Sequence, residues 1–256
     1  MLHKLITLGS LCLSSLATAG SIELSLAESE PYQGFSRLQH QHLQISDSLK
    51  DMDVTVNVDN KKYTQGQSGI SVELMLAKTW SDSIYSLTRA AMANDTALFT
   101  TNALYNEVNL KLLKQADKGI DIGLGLGTRE FPVGQESFVA FGPSFALAKV
   151  GVWLRREQSL DGGGYRHSAS AVWYPINSLR LEVSATTEER EKFILPTQNV
   201  AFAKMSNQRY NIKAAYQFNA RFTGLLGLED VEQKRDDLNS IIYAPTTWSI
   251  GLATKI

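Results

Sequence analysis

Three histidines lie beyond residue 20, His40, His42 and His167, and they limit the acid–base, nucleophilic and metal chemistry open to the chain. His40 and His42 stand at i and i+2, a spacing that puts both imidazoles on one face of an extended strand and suits a metal pair. No third ligand is apparent beside them, and Gln44, next on that face, is a poor one. His167 adjoins Ser168, so on a strand the base and the hydroxyl point to opposite faces, and Ser170 has the same mismatch. A serine hydrolase also needs a third group to orient its base. The chain has no Gly-x-Ser-x-Gly elbow, phosphate-binding loop or zinc motif. The reading is a non-enzyme without catalytic residues, bound metal or cofactor.

The remaining polar chemistry lies in charges that recur at every second position. Glu73, Glu107, Lys111, Asp121, Arg155, Arg166, Arg180, Glu182, Lys213 and Lys255 fall on the more polar face of alternating runs, and Trp153 shares the parity of Arg155. Both signs are present. Such a face can line a polar pore and set its selectivity, or offer a ladder of hydrogen-bonding groups to a sugar chain. It can equally form internal salt bridges that close a barrel. Trp153 could stack on a sugar ring or simply fill space.

These groups need long two-faced strands to position them. Ile120, Ile122, Leu124 and Leu126 alternate with Asp121 and glycines; Leu179, Leu181, Val183 and Ala185 alternate with Arg180, Glu182, Ser184 and Thr186. Val54, Val56 and Val58 alternate with Asp53, Thr55, Asn57 and Asp59. Helical spacing is hard to find. The pattern predicts fourteen strands, at about 21–28, 35–45, 52–60, 69–78, 83–93, 103–113, 119–128, 136–146, 149–157, 164–173, 178–188, 207–218, 221–231 and 243–255. Pro143 must then sit at a bulge or where no ladder bond is made. Even-to-odd links are short and odd-to-even links mostly longer, among them 61–68, 94–102, 129–135, 189–206 and 232–242. An up-and-down barrel with two unlike rims gives this alternation. A soluble sandwich or lipocalin-type barrel is the competing reading, with less use for so many long, regular strands.

Composition agrees. The 256 residues carry a formal net charge of −1, which gives no electrostatic reason to expect nucleic acid as a partner. Beyond the first twenty residues no apolar run approaches the length of a spanning helix, a test that barrel strands escape. Residues 1–19 read as a signal peptide, with His3 and Lys4 before an apolar stretch and Ala17-Thr18-Ala19 as the cleavage pattern. Leu11 is too bulky for Cys12 to be an acylation site, and cleavage would remove this only cysteine. Trp80, Trp173, Tyr174, Phe218 and Phe222 fall beside short turns, whereas Tyr63, Phe99, Tyr105, Phe131, Tyr165, Tyr210 and Tyr243 fall near long loops. Two aromatic girdles at the membrane surfaces would look like this. The chain closes on Trp248-Ser-Ile250-Gly-Leu252-Ala-Thr254-Lys-Ile256, similar to the assembly signal of outer-membrane proteins except for the terminal Ile256 in place of an aromatic residue.

Several stretches, taken in order, resemble the YaiO family of outer-membrane β-barrels. They are Lys78-Thr-Trp-Ser-Asp82 leading to Ser86-Leu-Thr-Arg-Ala90, Ala93-Asn-Asp-Thr96, Asn106-Glu-Val-Asn-Leu-Lys-Leu-Leu113, Gly142-Pro143 and Asp161-Gly-Gly-Gly-Tyr165. The resemblance runs from about Gly20 to Ile256 and rests on order and spacing, because none of these motifs is catalytic. It implies a signal-bearing barrel at the surface of a Gram-negative cell, with a link to export of surface polysaccharide.

The sequence reading is therefore a signal peptide over 1–19 and an all-β, transmembrane up-and-down antiparallel barrel of about fourteen strands over 20–256. Its expected function is a polar channel, or the barrel component of surface-polysaccharide or small-solute passage. The alternative is a structural or adhesion-type barrel with an occluded lumen that acts through its loops. Expected partners are outer-membrane lipid and lipopolysaccharide, the barrel-assembly machinery during biogenesis, and a polysaccharide ligand. Residues 189–206 contain Phe193-Ile-Leu-Pro196 and Val200-Ala-Phe202, so this segment either folds inward or extends the flanking strands, with extension favoured. The acidic cluster of Glu229, Asp230, Glu232, Asp236 and Asp237 reads as a solvated loop rather than a cation site.

Overall fold

The computed structural model describes residues 20–31, 37–64, 66, 68–94, 102–115, 118–131, 134–161, 164–190, 205–235 and 240–255. Every regular element among them is a strand: β1 (Ser21–Ser29), β2 (Leu38–Leu49), β3 (Met52–Tyr63), β4 (Ser68–Thr79), β5 (Ile84–Ala93), β6 (Asn102–Lys114), β7 (Lys118–Phe131) and β8 (Gly134–Leu147). They are followed by β9 (Val150–Ser159), β10 (Gly164–Ile176), β11 (Leu179–Arg190), β12 (Met205–Gln217), β13 (Phe222–Arg235), β14 (Ser240–Tyr243) and β15 (Thr246–Lys255). Each strand from β1 to β13 pairs antiparallel with the next, β13 pairs with β15, and β15 closes on β1 from Ser21↔Lys255 to Ser29↔Thr247. The ring therefore has fourteen positions, β1 to β13 and β15. Closure leaves no sheet edge unpaired. The short β14 runs along the end of β13, and Ala244-Pro245 separates it from β15, because proline cannot donate to the ladder.

Polarity is inverted relative to a water-soluble core. Leu124 and Leu126 are 65% and 64% exposed, and Leu24, Leu226, Ile212, Ile250 and Leu252 share the same outer surface. Among the described residues the large side chain that is most fully buried is polar, Asn109, and Glu107, Asn57 and Ser144 are also buried. A protein folded against water hides apolar groups and exposes charges. This one does the reverse over the middle of its strands.

The tight turns are those expected between even and odd strands. Two of them, 50–51 and 148–149, place Lys50 and Ala148 at positive φ, which the favoured two-residue hairpins demand of the first central position. The opposite rim departs from the sequence expectation. Residues 129–135 read as a long connection, yet β7 and β8 stay paired through Arg129↔Glu136 and Glu130↔Gln135 to Phe131↔Gly134. Ion pairs of Arg129 with Glu136 and Glu157 on the inward face hold this polar stretch in the ladder, and hydrophobic alternation cannot register them. Pairing of β11 with β12 likewise reaches Arg190↔Met205, so both flanks of the connection extend the strands; the rest of 189–206 lies outside the described residues.

Candidate functional site

On a closed barrel, inward side chains converge and outward ones diverge, so contacts that skip a strand identify the inner wall. Tyr85 of β5 donates to Asp121 Oδ2 of β7 at 3.0 Å, and Arg129 of β7 donates from Nη2 to Glu157 Oε2 of β9 at 2.8 Å. Arg155 of β9 reaches Glu107 on β6. Counting in twos from these pairs through the register places Glu73, Glu107, Lys111, Asp121, Trp153, Arg155, Arg166, Arg180, Glu182, Lys213 and Lys255 on the inward face. The structure groups some of them and separates others.

Glu107 and Arg155 form the densest cluster. Arg155 Nε and Nη2 donate to Glu107 Oε2 and Oε1 at 3.0 and 2.7 Å, a two-pronged charge-assisted contact. Nη2 also donates to Asn109 Oδ1 at 3.2 Å, and Tyr105 donates its hydroxyl to Glu107 Oε2. Arg155 crosses two strands because the wall beneath it has almost no side chains. Gly123, Gly125 and Gly127 on β7 and Ala140 and Gly142 on β8 form this floor. A Cβ on Gly125 would stand 2.6 to 2.8 Å from the Tyr105 phenol, and one on Gly142 would stand 2.0 Å from the Leu154 carbonyl oxygen.

Arg155 also repairs the ladder. Pairing of β8 with β9 lapses at Gly142 and Pro143, where proline lacks an N–H, and Nη1 donates to the carbonyl oxygens of Gly142, Pro143 and Leu154 at 3.0, 3.2 and 2.9 Å. Arg155 is thus a structural brace as well as an inward charge.

Nearer the long-loop rim, Arg129 joins Glu136 through Nε at 3.0 Å and Glu157 through Nη2 at 2.8 Å, with Arg166 Nη1 3.8 Å from the other oxygen of Glu157. The Arg129 guanidinium lies 4.2 Å from the centre of the Phe138 ring, and Phe138 stacks on Tyr105. Sequence reasoning assigned Tyr105 and Tyr63 to the outer girdle of the long-loop rim. Both share the inward parity, and Tyr105 is drawn in by Glu107. On the short-turn rim Trp80, Trp173, Tyr174, Phe218 and Phe222 are exposed as a girdle requires, and Trp80 satisfies its indole N–H on Ser86 at 2.8 Å.

The opposite arc, β11 to β15, is more open. Arg180, Arg209, Lys213 and Lys255 are exposed on the inward face, as are Trp153 on β9 and Arg89 on β5. Inward acids are mostly half-buried beside partners, among them Glu182 at 2.5 Å from Arg180 and Glu229 at 4.0 Å from Arg209. Asp53, at the short-turn rim, is the exposed exception among the described inward acids. Sequence reading missed Arg129, Glu136, Glu157 and Arg209, although Glu157 sits two residues from Arg155 and parity alone assigns it to the same face.

His40 and His42 do point to one face, and the β2–β3 register sets Asp59 directly across from His42. His40 Nε2 and His42 Nδ1 lie 2.6 and 2.9 Å from the same Asp59 oxygen. This supplies the third ligand-type atom that the chain's linear order concealed. His167 faces outward against Tyr165, away from inward Ser168.

No family model matches the chain, and no curated protein does. Solved structures do. OprB of Pseudomonas putida aligns over 96% of this chain and 96% of its own with a TM-score of 0.56 at 6% identity. The NanC porin aligns over 92% and 100% with a TM-score of 0.54 at 9% identity. An anion-selective porin from Comamonas acidovorans aligns over 93% and 99% with a TM-score of 0.50 at 7% identity. The likeness is of architecture. This chain has the fold of the outer-membrane porins.

Proposed function

We propose that this barrel spans a Gram-negative outer membrane and conducts small polar solutes, with a preference for anions. One observation carries the reading: a closed barrel with an apolar outer surface and an inward face whose exposed charges are nearly all cationic. A hydrocarbon surround explains the exposed leucines, since every backbone group of a closed barrel is paired internally. Arg89, Arg180, Arg209, Lys213 and Lys255 would attract anions along the lumen, whereas Glu107 and Glu157 are already neutralised by arginines. The anion-selective porin from Comamonas acidovorans, which shares this barrel architecture, is consistent with this reading.

Within the same proposal, residues 1–19 direct export and are removed, the assembly machinery inserts the barrel, and its outer surface contacts lipid and lipopolysaccharide. Membership of the YaiO family, and with it passage of a surface polysaccharide, accords with an inward face rich in hydroxyl, amide and arginine groups.

The test is single-channel recording of the folded protein in a planar bilayer under a salt gradient, with an acidic polysaccharide then added to one side. The expected result is a stable conductance, a reversal potential on the anion side and block by the polymer. Absence of current from protein shown to be inserted would overturn the channel reading and favour a barrel that works through its loops.

A further inference from the structure

We propose that His40, His42 and Asp59 form a binding site for one divalent transition ion of the zinc class on the inner wall of the barrel. His40 and His42 are two residues apart on β2, and Asp59 faces His42 from β3, so three donors from two adjacent strands converge without a loop. One ligand atom from each, taken together, lies within 4.8 Å of the others. The side chains keep 27%, 22% and 21% of their surface, which shields the cluster yet leaves it reachable from the lumen.

The geometry is close to what an ion needs. Zinc bonds of about 2.0–2.1 Å set tetrahedral ligand edges of roughly 3.3 Å. The present N···O separations of 2.6 and 2.9 Å must open by less than about 1 Å to admit the ion, and imidazole rotation brings the two nitrogens together. Without metal, the ring nitrogens of both histidines lie within hydrogen-bond distance of one Asp59 oxygen. To ligate an ion, each of those nitrogens must present its lone pair, so a proton it carries passes to the other ring nitrogen or, from a charged imidazole, to solvent.

Two imidazoles and one carboxylate favour Zn2+, Ni2+ and Cu2+ over Mg2+ and Ca2+, which prefer oxygen ligands. Three protein ligands leave a position open for water or an anionic solute group, the arrangement of an exchangeable rather than a sealed site. Groups facing the cluster carry both signs. Glu23 on β1 stands across from Gln44, the residue after His42 on the inward face of β2, and Lys61 stands opposite His40, two positions from Asp59 on β3. The site lies in the half of β2 and β3 nearer the long-loop rim, where an ion bound on the wall would narrow the lumen and add positive charge.

Calorimetric titration of the folded, detergent-solubilised protein with Zn2+, in the presence of excess Mg2+ and Ca2+, tests the site. One equivalent should bind, with affinity falling tenfold or more in His40→Ala, His42→Ala and Asp59→Asn and unchanged in His167→Ala. A His40→Gln/His42→Gln variant, which keeps hydrogen-bonding groups facing Asp59, controls for folding through heat-modifiable electrophoretic migration. Absence of saturable Zn2+ binding by the unaltered protein would overturn the proposal, and so would a loss of less than tenfold in the folded double variant. Binding is read without any current, so failure of the metal site and failure of the channel reading are separate results. If the barrel conducts, micromolar Zn2+ should also lower its conductance in the unaltered protein and not in the double variant.

Discussion

The two sides of the inner wall use the same residue types to opposite ends. From β6 to β9, Glu107, Asn109, Tyr105 and Arg155 lie flat over a glycine floor and satisfy one another. From β11 to β15, Arg180, Arg209, Lys213 and Lys255 stay exposed, with looser or more accessible partners. Burial separates a brace from a tuning charge. A guanidinium locked by a two-pronged carboxylate and three carbonyls is part of the wall, whereas an exposed one still acts on whatever enters. Substitution of the first kind should therefore change stability, and of the second kind, selectivity.

The sharpest break of this contrast is at the floor. Gly142→Val puts a side chain where backbone already stands 2.0 Å away, and the outcome expected is loss of the heat-modifiable folded barrel on gels. Gly125→Ala meets the Tyr105 side chain rather than backbone at its closest approach, so its expected cost is smaller, about 1–3 kcal/mol in urea unfolding.

Second only to Gly142→Val is Glu107→Ala. It strands a largely buried guanidinium and should destabilise the barrel by about 3–5 kcal/mol, with reversal potential unchanged if the variant is assayed folded. A comparable loss from Arg180→Ala would erase the distinction between the two arcs. On the outer surface Leu124→Arg should cost about 2–4 kcal/mol if that position meets the bilayer midplane. Unfolding from lipid vesicles measures it, and a near-zero cost would argue against a hydrocarbon surround.

The smallest energetic effect and the clearest functional one belong to Arg180→Glu, Arg209→Glu and Lys213→Glu. Each should change stability by less than about 1 kcal/mol while moving the reversal potential toward cations. Should all three leave ion selectivity unaltered in a conducting barrel, the open arc is not the selectivity-determining surface.

Much of this was legible in one dimension. Strand alternation is a local property with a period of two, so Ile122, Leu124 and Leu126 against Gly123, Gly125 and Gly127 declare a two-faced strand whatever their neighbours are. The order of short and long links follows from how an up-and-down barrel is threaded, and the alternating runs themselves number fourteen. Parity also grouped the inward charges, because strands keep their faces along their length.

What the chain alone left open depends on which strands are neighbours and how far a side chain can reach across the curve. Arg155 and Glu107 are forty-eight positions apart and meet because the wall between them lacks side chains. Tyr105 reads as a girdle residue from its place near a long loop, whereas its parity with Glu107 puts it inside, where it donates to that carboxylate. Asp59 becomes a partner of His40 and His42 through the β2–β3 register, which a turn at 50–51 sets and which linear spacing cannot display. Alternation is written residue by residue, so the sequence determined the faces. Pairing across strands comes from closure of the ring, so tertiary structure decided which charges brace the wall and which remain to act on the lumen.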